Sequence, residues 1–326
     1  MAYLTTLTKN NIDKIIRKYN ILNYINYSPI YDGIQNSNYI INTKNKKYIL
    51  TIYEDLYVIN NIDFFLDLMS FCNQSKFKCP SPILDKSNNL INFIDNKPSC
   101  LLSFIDGKSS KNKSTVNIKN LGLCLAQFHL ITMKFNKNIK SRFDTNFYNS
   151  VIRKNKSFFL KQNLNLINIF KDALNDYTDL NTKNLPKAII HGDLFPDNVL
   201  FNNKNDITGF LDFYFSDFNY LISDLAIVII SWCFYINKNN KYVLDFNKIN
   251  ILLKHYNNIR KIQSNELSAL NAICKIYCMR FMFTRLIAQN NNYDKNRILT
   301  KNPNEYIEKL LYFNNIDNFR LNINYE

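Results

Sequence analysis

The strongest constraint on the fold is a polar loop held between two apolar runs in residues 188–201, AIIHGDLFPDNVLF. Short apolar runs on both sides of a loop are typical of two buried strands joined by a turn. Asp193 and Asn198 lie within the loop, and Asp212 follows in the sequence GFLDF of residues 209–213. A strand-turn-strand unit can bring these three polar side chains together. The segment therefore predicts a functional site.

These three residue types suit phosphoryl transfer. A carboxylate can accept a hydroxyl proton, and an asparagine with a second aspartate offers hard oxygen ligands to Mg²⁺, as transfer from a nucleotide requires. The pattern H-x-D-x-x-x-x-N followed by a hydrophobic-D-F step is the phosphotransferase arrangement. The structural alternative is a tight turn at His191 and an Asx turn at Asn198. We expect His191 to support the loop backbone and not to transfer the proton.

The rest of the chain divides into a strand-rich part and a helical part. Short runs of β-branched and aromatic residues, separated by polar turns, predict five strands at residues 24–31, 38–43, 47–53, 90–94 and 98–105. Residues 59–72, between the third and fourth of these strands, have helical periodicity. Thr8 is a candidate cap for an opening helix. From about residue 108 the pattern is mostly helical. The sequence thus predicts an α+β fold with a lobe boundary near residue 106.

Length and charge narrow the class of protein. A chain of 326 residues, 46% of them hydrophobic, is long enough for two lobes with a buried core. The formal charge of +15 would suit an anionic partner, but Lys, Asn, Ile, Tyr and Phe are all enriched as A/T-rich codons would make them. The alternative, a basic nucleic-acid-binding protein, lacks a recognised binding module or an Arg-rich patch with interleaved aromatics. We therefore expect no nucleic-acid partner.

Cysteine usage and hydropathy predict a cytoplasmic location. The seven cysteines form no CxxC pair, which favours a reduced, cytosolic chain over a disulfide framework. The first residues lack the apolar stretch of a signal peptide. The longest nearly apolar run, residues 225–236, is short of the ~20 residues that span a bilayer. Neither a membrane nor an obligate protein partner is expected.

The loop and several other segments resemble a known family. HGDLFPDN with LDF is similar to the aminoglycoside phosphotransferase and choline kinase superfamily, and within it the chain closely resembles the homoserine kinase branch. The resemblance continues through YDGIQNSNYIINT, KYILTIYE, LGLCLAQFHL, MRFMFTRL and NPNEYIEKL, so it covers nearly the whole chain. It implies a two-lobed protein-kinase-like fold. Residues 1–105 would form a small antiparallel-sheet lobe that binds nucleotide, and residues 106–326 a larger, mainly helical lobe for catalysis and substrate binding.

The resemblance also implies a reaction. ATP with Mg²⁺ would phosphorylate the side-chain hydroxyl of L-homoserine, giving O-phospho-L-homoserine for threonine synthesis. A choline, ethanolamine or methylthioribose kinase of the same fold is the alternative. By similarity, Asp193 is the catalytic base, and Asn198 and Asp212 hold the Mg²⁺.

Nucleotide contacts are implied in two places, a turn at residues 33–38 over the ATP phosphates and a linker whose backbone would hydrogen-bond adenine. The residues expected there are Asn36, Ser37 and Asn38 for the phosphates, and Ser103 and Ile105 for adenine. An ordinary polar hairpin and a plain strand end are the respective alternatives. One departure is Thr51, which occupies the place where kinase-like folds carry a strand lysine that pairs the phosphates. Phosphate neutralisation is then left to Mg²⁺ and to other donors.

Candidate substrate residues lie mainly on an apolar helix predicted at residues 276–287. It contains Arg280 and Arg285, and an arginine in such a stretch usually faces an anion. We expect Arg285, or failing that Arg280, to clamp the substrate α-carboxylate, with pairing to an acid of the fold such as Asp224 as the alternative. The remaining candidates are Asp217 for the ammonium and Tyr214, with Phe213, Phe215 and Trp232, for an aromatic box. Core packing is the alternative, and it is the favoured explanation for most of these aromatic residues.

Overall fold

The computed structural model describes residues 5–21, 23–30, 36–110, 113–290 and 302–316. These residues form two compact units. The first comprises the described part of residues 1–107 together with residues 208–214, and the second the described part of residues 108–207, 215–291 and 300–326. The lobe boundary near residue 106 stays a prediction. Residues 33–35 of the expected phosphate turn lie outside the described residues.

An antiparallel sheet forms the centre of the first unit. Its strands are β1 (Tyr24–Ile30), β2 (Asn36–Thr43), β3 (Lys47–Tyr53), β4 (Pro82–Ile83), β5 (Asn92–Ile94) and β6 (Lys97–Ser103). They follow the order β1-β2-β3-β6-β4, with β5 paired to β6. Five of these strands match runs predicted from the sequence, because β-branched and aromatic residues pack well on a pleated, half-buried surface. The sequence does not predict β4, which has two residues and begins with a proline that cannot donate to the sheet.

One face of this sheet packs on the first helix, α1 (Lys9–Arg17). Thr8 caps the helix as predicted, since its side chain accepts a hydrogen bond from the backbone N–H of Asn11. The buried side chains of the contact are Ile12, Ile15 and Ile16 of the helix and Tyr39, Ile41, Leu50 and Ile52 of the sheet. Two helices follow β3, namely α2 (Leu56–Asn60) and α3 (Ile62–Gln74), where the sequence predicts a single helix.

The second unit is mainly helical. Its helices are α4 (Thr115–Thr132), α5 (Thr145–Lys154), α6 (Lys156–Gln162), α7 (Leu166–Asp179), α8 (Ile222–Trp232), α9 (Phe246–Asn257), α10 (Ser264–Asn290) and α11 (Asn304–Asn314). The strands after residue 107 are β7 (Lys108–Ser109), β8 (Lys187–Ile190), β9 (Val199–Phe201), β10 (Ile207–Phe210), β11 (Asp217–Tyr220), β12 (Phe234–Ile236) and β13 (Tyr242–Leu244). The long helix α10 packs against α7, α8 and α11. Every residue of α8 is buried, so this helix forms the centre of the unit.

Two features of the fold bear on the expectations about location. None of the helices in the described part of the chain combines the length and the apolar character needed to cross a membrane. All seven cysteines carry free thiols, and six of them are buried. The cysteines therefore pack as small apolar side chains.

Candidate active site

The 191–198 loop joins β8 to β9 in the second unit. Gly192 has a left-handed φ of 77°, and a Cβ there would lie 2.3 Å from the carbonyl oxygen of Phe215. Only glycine fits such a position. Because glycine is scarce in this chain, each glycine is expected where a side chain is not tolerated. The N–H of Phe195 donates to the carbonyl of Asp193 (2.8 Å), and Pro196–Asn198 form a 3₁₀ turn. The backbone of the loop is therefore fixed by contacts within the second unit.

Asp193 and Asn198 lie together in this loop. The Nδ2 of Asn198 donates to the carboxylate Oδ2 of Asp193 (3.0 Å) and to its backbone carbonyl (2.7 Å). These bonds orient the carboxylate and turn the Asn198 amide nitrogen towards it, so that Oδ1 is the atom left to accept a hydrogen bond or a metal ion. The loop thus presents a proton acceptor beside a hard oxygen ligand.

A buried aspartate anchors the start of the loop. Asp224, on α8, accepts hydrogen bonds from the backbone N–H groups of His191 (2.7 Å) and Gly192 (2.9 Å) through its two carboxylate oxygens. The ring Nδ1 of His191 accepts from the N–H of Asp193 at 3.3 Å. His191 therefore supports the loop backbone, which is the role the sequence predicts for it.

Behind Asp224 lies a buried chain of hydrogen bonds. Its Oδ2 is 3.0 Å from Nε2 of His129, whose Nδ1 is 2.6 Å from the hydroxyl of Tyr256. Arg260 donates to that hydroxyl (3.2 Å) and forms a two-point ion pair with Glu266. Burial lowers the pKa of His129 despite the neighbouring carboxylate, which favours the neutral imidazole. In that form we assign Nε2 as the donor to the carboxylate and Nδ1 as the acceptor from the tyrosine. The hydrogen bond and the charge of His129 hold the pKa of Asp224 below its ordinary value, although burial alone would raise it.

The pair of His129 and Asp224 predicts a loss of stability in acid. Because the pKa of His129 is lower in the folded chain than its ordinary value of about 6.5, the unfolded chain takes up the proton first. The contribution of His129 to the free energy of unfolding is therefore fully present above about pH 6.5, and it is lost as the pH drops towards the pKa of His129 in the folded chain. Asp224 shifts in the same direction and adds its own loss below about pH 4.

Urea denaturation at about pH 7.5 and about pH 5.5 measures this effect. The free energy of unfolding should fall by at most about 1.4 kcal/mol per pH unit from His129. The fall should be smaller in His129→Gln, which keeps a donor but does not titrate. An equal fall in both proteins would contradict a neutral His129.

Arg280 lies on α10 and contacts the same loop. Its Nη1 donates to the carbonyl of Gly192 at 2.5 Å, and its guanidinium carbon is 4.2 Å from the ring centroid of Phe143. Its Nε and Nη2 are buried and make no hydrogen bond among the described residues. Asp217, in β11, lies near it: burial raises the pKa of Asp217, and a hydrogen bond from Ser141 and the charge of Arg280 oppose the rise. Both of these candidate substrate residues therefore belong to a buried cluster beside the loop backbone.

Arg285, further along α10, pairs with Glu305 on α11. Its Nη1 donates to Oε2 of Glu305 (2.7 Å), and its guanidinium carbon lies 4.4 Å from the ring centroid of Tyr306. Lys309 donates to the other carboxylate oxygen of Glu305 (2.5 Å). The acid beside Arg285 is thus Glu305, whereas Asp224, the partner considered from the sequence, is bonded to His129 and to the loop.

Asp212 and Tyr214 belong to the first unit. Asp212 has a φ of 61°, a left-handed conformation that is uncommon for a residue other than glycine and that clusters at functional sites. Tyr214 is buried, with its hydroxyl 3.0 Å from that of Tyr53 and its ring packed edge-on against Tyr53 and Phe65. Tyr214 therefore packs in the core of the first unit. The other residues of the expected aromatic box are Phe213 of the first unit and Phe215 and Trp232 of the second.

The candidate phosphate residues divide between the two faces of the sheet. Side chains alternate along β2, so Ser37 shares the face that packs on α1, while Asn36 and Asn38 lie on the other face. The hydroxyl of Ser37 donates to Glu54 (2.9 Å). On the opposite face, Oδ1 of Asn38 accepts from the hydroxyl of Thr51 at 2.7 Å. Thr51, in the place of the strand lysine, is thus bonded to one of the candidate phosphate residues.

The candidate adenine residues lie where β6 ends. The N–H of Ser103 donates to the carbonyl of Ser81 (2.9 Å), and its Oγ accepts from the Ser81 N–H (2.8 Å). The side chain of Ile105 lies against Gly209, where a Cβ would come within 2.7 Å of its Cδ1. The N–H of Ser103 is therefore bonded inside the first unit.

Comparison with known proteins identifies the family of this site. The phosphotransferase enzyme family matches residues 26–246 of the chain. The chain belongs to this family. A relative from Bartonella tribocorum (strain CIP 105476 / IBS 506), named homoserine kinase, is 30% identical over 320 residues, which are 97% of this chain and 98% of that protein. A second homoserine kinase, from Rhodopseudomonas palustris (strain TIE-1), is 28% identical over 322 residues, covering 98% of this chain and 97% of that protein.

Solved structures of phosphotransferases share the fold. An amicoumacin kinase, in complex with AMP-PNP and Ca²⁺, has a TM-score of 0.68 at 13% identity and covers 93% of this chain and 90% of its own. At this identity the likeness concerns the fold alone. It confirms the α+β, protein-kinase-like fold predicted from the sequence.

Sequence reasoning missed several residues of this phosphotransferase site. It considers Asp224 only as a partner for the arginines, and it gives no role to His129 or Glu305. A signal for His129 does exist, because it is one of three histidines in the chain and lies in the apolar run LGLCLAQFHL. A polar group buried in such a run needs a partner, which here is Asp224.

Proposed function

We propose that this phosphotransferase is a homoserine kinase, which transfers the γ-phosphoryl group of ATP to the side-chain hydroxyl of L-homoserine. The observation that carries the proposal is the match, along nearly the whole chain, to proteins named homoserine kinase. It bears out the branch that the sequence motifs indicate. The product, O-phospho-L-homoserine, is the intermediate that threonine synthesis requires.

Asp193 is the base in this reaction. The homoserine hydroxyl donates its proton to the Asp193 carboxylate as its oxygen attacks the γ-phosphorus. A new O–P bond forms, the bond from the γ-phosphorus to the ADP oxygen breaks, and the proton then leaves Asp193 for solvent. The hydrogen bond from Nδ2 of Asn198 holds the carboxylate oriented for this transfer.

Asn198 and Asp212 are the proposed ligands of Mg²⁺. Their chemistry fits a hard cation, because Asn198 uses its amide nitrogen on Asp193 and keeps Oδ1 as an oxygen ligand, while Asp212 is a carboxylate held in a strained conformation. When bound, the cation would neutralise charge on the transferring phosphoryl group.

The nucleotide contacts divide between the sheet and the strand end. Asn36 and Asn38 share one face of β2 and are the better candidates for the phosphates, because Ser37 is committed to Glu54 on the other face. Ser103 and Ile105 are the proposed adenine contacts, and Ile105 is the better candidate for a backbone donor because the N–H of Ser103 is committed to Ser81.

Replacing Thr51 with valine should affect stability more than catalysis. The change removes a buried hydroxyl and leaves Oδ1 of Asn38 without that donor, which costs about 1–3 kcal/mol of unfolding free energy. Because this chain has Thr51 in the place of the strand lysine, no charged phosphate contact is lost, and kcat/KM for ATP should fall by less than about tenfold, or about 1.4 kcal/mol. Steady-state kinetics beside urea denaturation checks both values. A fall of about a hundredfold, or about 2.7 kcal/mol, in an equally folded variant would mean that Thr51 contributes directly to catalysis.

The direct test of the proposed function is ADP release over a panel of acceptors. We expect the wild-type protein to give its highest kcat/KM with L-homoserine. The panel includes choline, ethanolamine, methylthioribose and kanamycin, which carry a hydroxyl but no α-carboxylate. A preference for any of these would replace homoserine kinase with the corresponding activity.

A further inference from the structure

A cavity of about 410 Å³ adjoins the 191–198 loop within the second unit. Residues 195–197 of the loop form one side, and Lys113, Arg285, Glu305 and Tyr306 contribute to the other. Its volume is within the range of small-molecule sites, which is roughly 300–1,000 Å³. Phe195, which lines the cavity, lies two residues after the proposed base, and its N–H donates to the carbonyl of Asp193. The cavity is therefore close to the group that would take the acceptor proton.

Lys113 lines this cavity, and among the described residues its ammonium makes one hydrogen bond. Its Nζ donates to the carbonyl of Ser231 at 2.6 Å, which is one of the three hydrogen bonds an ammonium can make. Burial lowers the pKa of Lys113, and the positive charge of Lys309 lowers it further. An anion at the cavity would relieve both effects.

Arg285 presents a second set of donors. Its Nη1 is used by Glu305 and by the carbonyl of Asn302, while Nε and Nη2 make no hydrogen bond to the described residues. A guanidinium anchored at one end in this way offers its other edge to a carboxylate.

The charge balance of the cavity also favours an anion. Although burial alone would raise it, the charges of Lys309 and Arg285 lower the pKa of Glu305 to about 2, so this carboxylate is ionised. The lining contains two cations, Lys113 and Arg285, and two carboxylates, Glu305 and Asp197, while Lys309 donates to Glu305 from outside the lining. Because Glu305 is bonded to both Arg285 and Lys309, its charge is balanced without Lys113, which can then bind a carboxylate that the acceptor brings.

We propose that Lys113, together with Arg285, binds the α-carboxylate of the acceptor in this cavity and so selects an amino acid over an amino alcohol. The proposal rests on homoserine kinase as the function. The sequence predicts a carboxylate clamp from the arginines of α10 alone. Lys113, on the loop before α4, is the residue that the proposal adds to it.

A structural role for Lys113 makes different predictions. Lys113 and Lys309 donate to the carbonyls of Ser231 and Ile230 at the carboxyl end of α8, where cations stabilise a helix. If Lys113 only stabilised the carboxyl end of α8, removing its charge would lower the melting temperature and would change kcat/KM equally for every acceptor. A carboxylate-binding role changes the KM for homoserine only.

The test compares two acceptors in Lys113→Met and in Lys113→Gln, which keeps a donor for Ser231 but no charge. 3-Aminopropan-1-ol is homoserine without its carboxylate, and it is assayed as a substrate or, at low turnover, as a competitive inhibitor. For homoserine, kcat/KM should fall by about 10–150-fold, the loss of one charge-assisted hydrogen bond, mainly through KM. For 3-aminopropan-1-ol, kcat/KM or the inhibition constant should change by less than about threefold, or about 0.65 kcal/mol. The KM for ATP should change by no more than that. Lys275→Met is the matched control, because Lys275 is also half-buried and pairs with Asp176 on α7, away from the loop.

The outcomes separate this proposal from the proposed function. A wild-type protein without homoserine-dependent ADP release would overturn the function and this inference with it. An active wild type whose Lys113 variants bind homoserine normally would overturn the inference alone, as would equal losses on both acceptors.

Discussion

Replacing Asp193 with asparagine is expected to lower kcat by about 10²–10⁴-fold, the contribution typical of a positioned general base. The side chain keeps its shape, so the loop should keep the backbone that Asp224 and Gly192 fix. It loses the ability to accept the proton of the acceptor hydroxyl. Affinity for a non-hydrolysable ATP analogue, measured by titration calorimetry, should change by less than about threefold, or about 0.65 kcal/mol.

Asp206→Asn is the matched control for this variant. Asp206 is exposed and accepts from the side chain of Asn202 in the turn after β9, so the same chemical change there should leave kcat unaltered. An Asp193→Asn protein that kept more than about a tenth of the wild-type kcat would assign the proton transfer to another group.

Removal of divalent cations is expected to abolish phosphoryl transfer. The triphosphate carries charge that Asn198 and Asp212, an amide and a carboxylate, cannot neutralise by themselves. Treatment with EDTA should reduce homoserine-dependent ADP release to the background rate, and added Mg²⁺ should restore it. The melting temperature of the nucleotide-free protein should not change, because Mg²⁺ in such sites is held by one or two side chains together with the phosphates of the substrate.

The activity and the melting temperature after chelation test different points. Full activity after chelation would contradict the proposed cation ligands. A lower melting temperature after chelation would instead reveal a structural metal site.

The parts of the site that the sequence predicts are those encoded locally. Asp193 and Asn198 are five residues apart in one loop, and the apolar runs on both sides fix that loop between β8 and β9. The strands of the first unit are predicted for the same reason, since each is a short alternating run. Ser37 shows a signal that could have been used further, because its place in the alternation of β2 puts it on the face of α1.

The parts that escape the sequence depend on contacts between distant residues. His129 and Asp224 are 95 residues apart, and Lys113 and Ser231 are 118 apart. Nothing in the local pattern around Asp224 shows that it accepts two backbone N–H groups of the loop, or that Glu305 is the acid beside Arg285. Such pairings arise from how α4, α8, α10 and α11 pack, and local sequence patterns do not reveal that packing.

Phosphoryl transfer to the homoserine hydroxyl can be followed in the reaction itself by ³¹P NMR. Wild-type protein with ATP, Mg²⁺ and L-homoserine should convert the γ-phosphate into a phosphomonoester that accumulates in equimolar amounts with ADP. The signal should coincide with that of authentic O-phospho-L-homoserine, and with Asp193→Asn its initial rate of formation should be lower by at least about a hundredfold. Formation of ADP with free phosphate alone, or of no ADP above the level without acceptor, would rule out homoserine kinase activity.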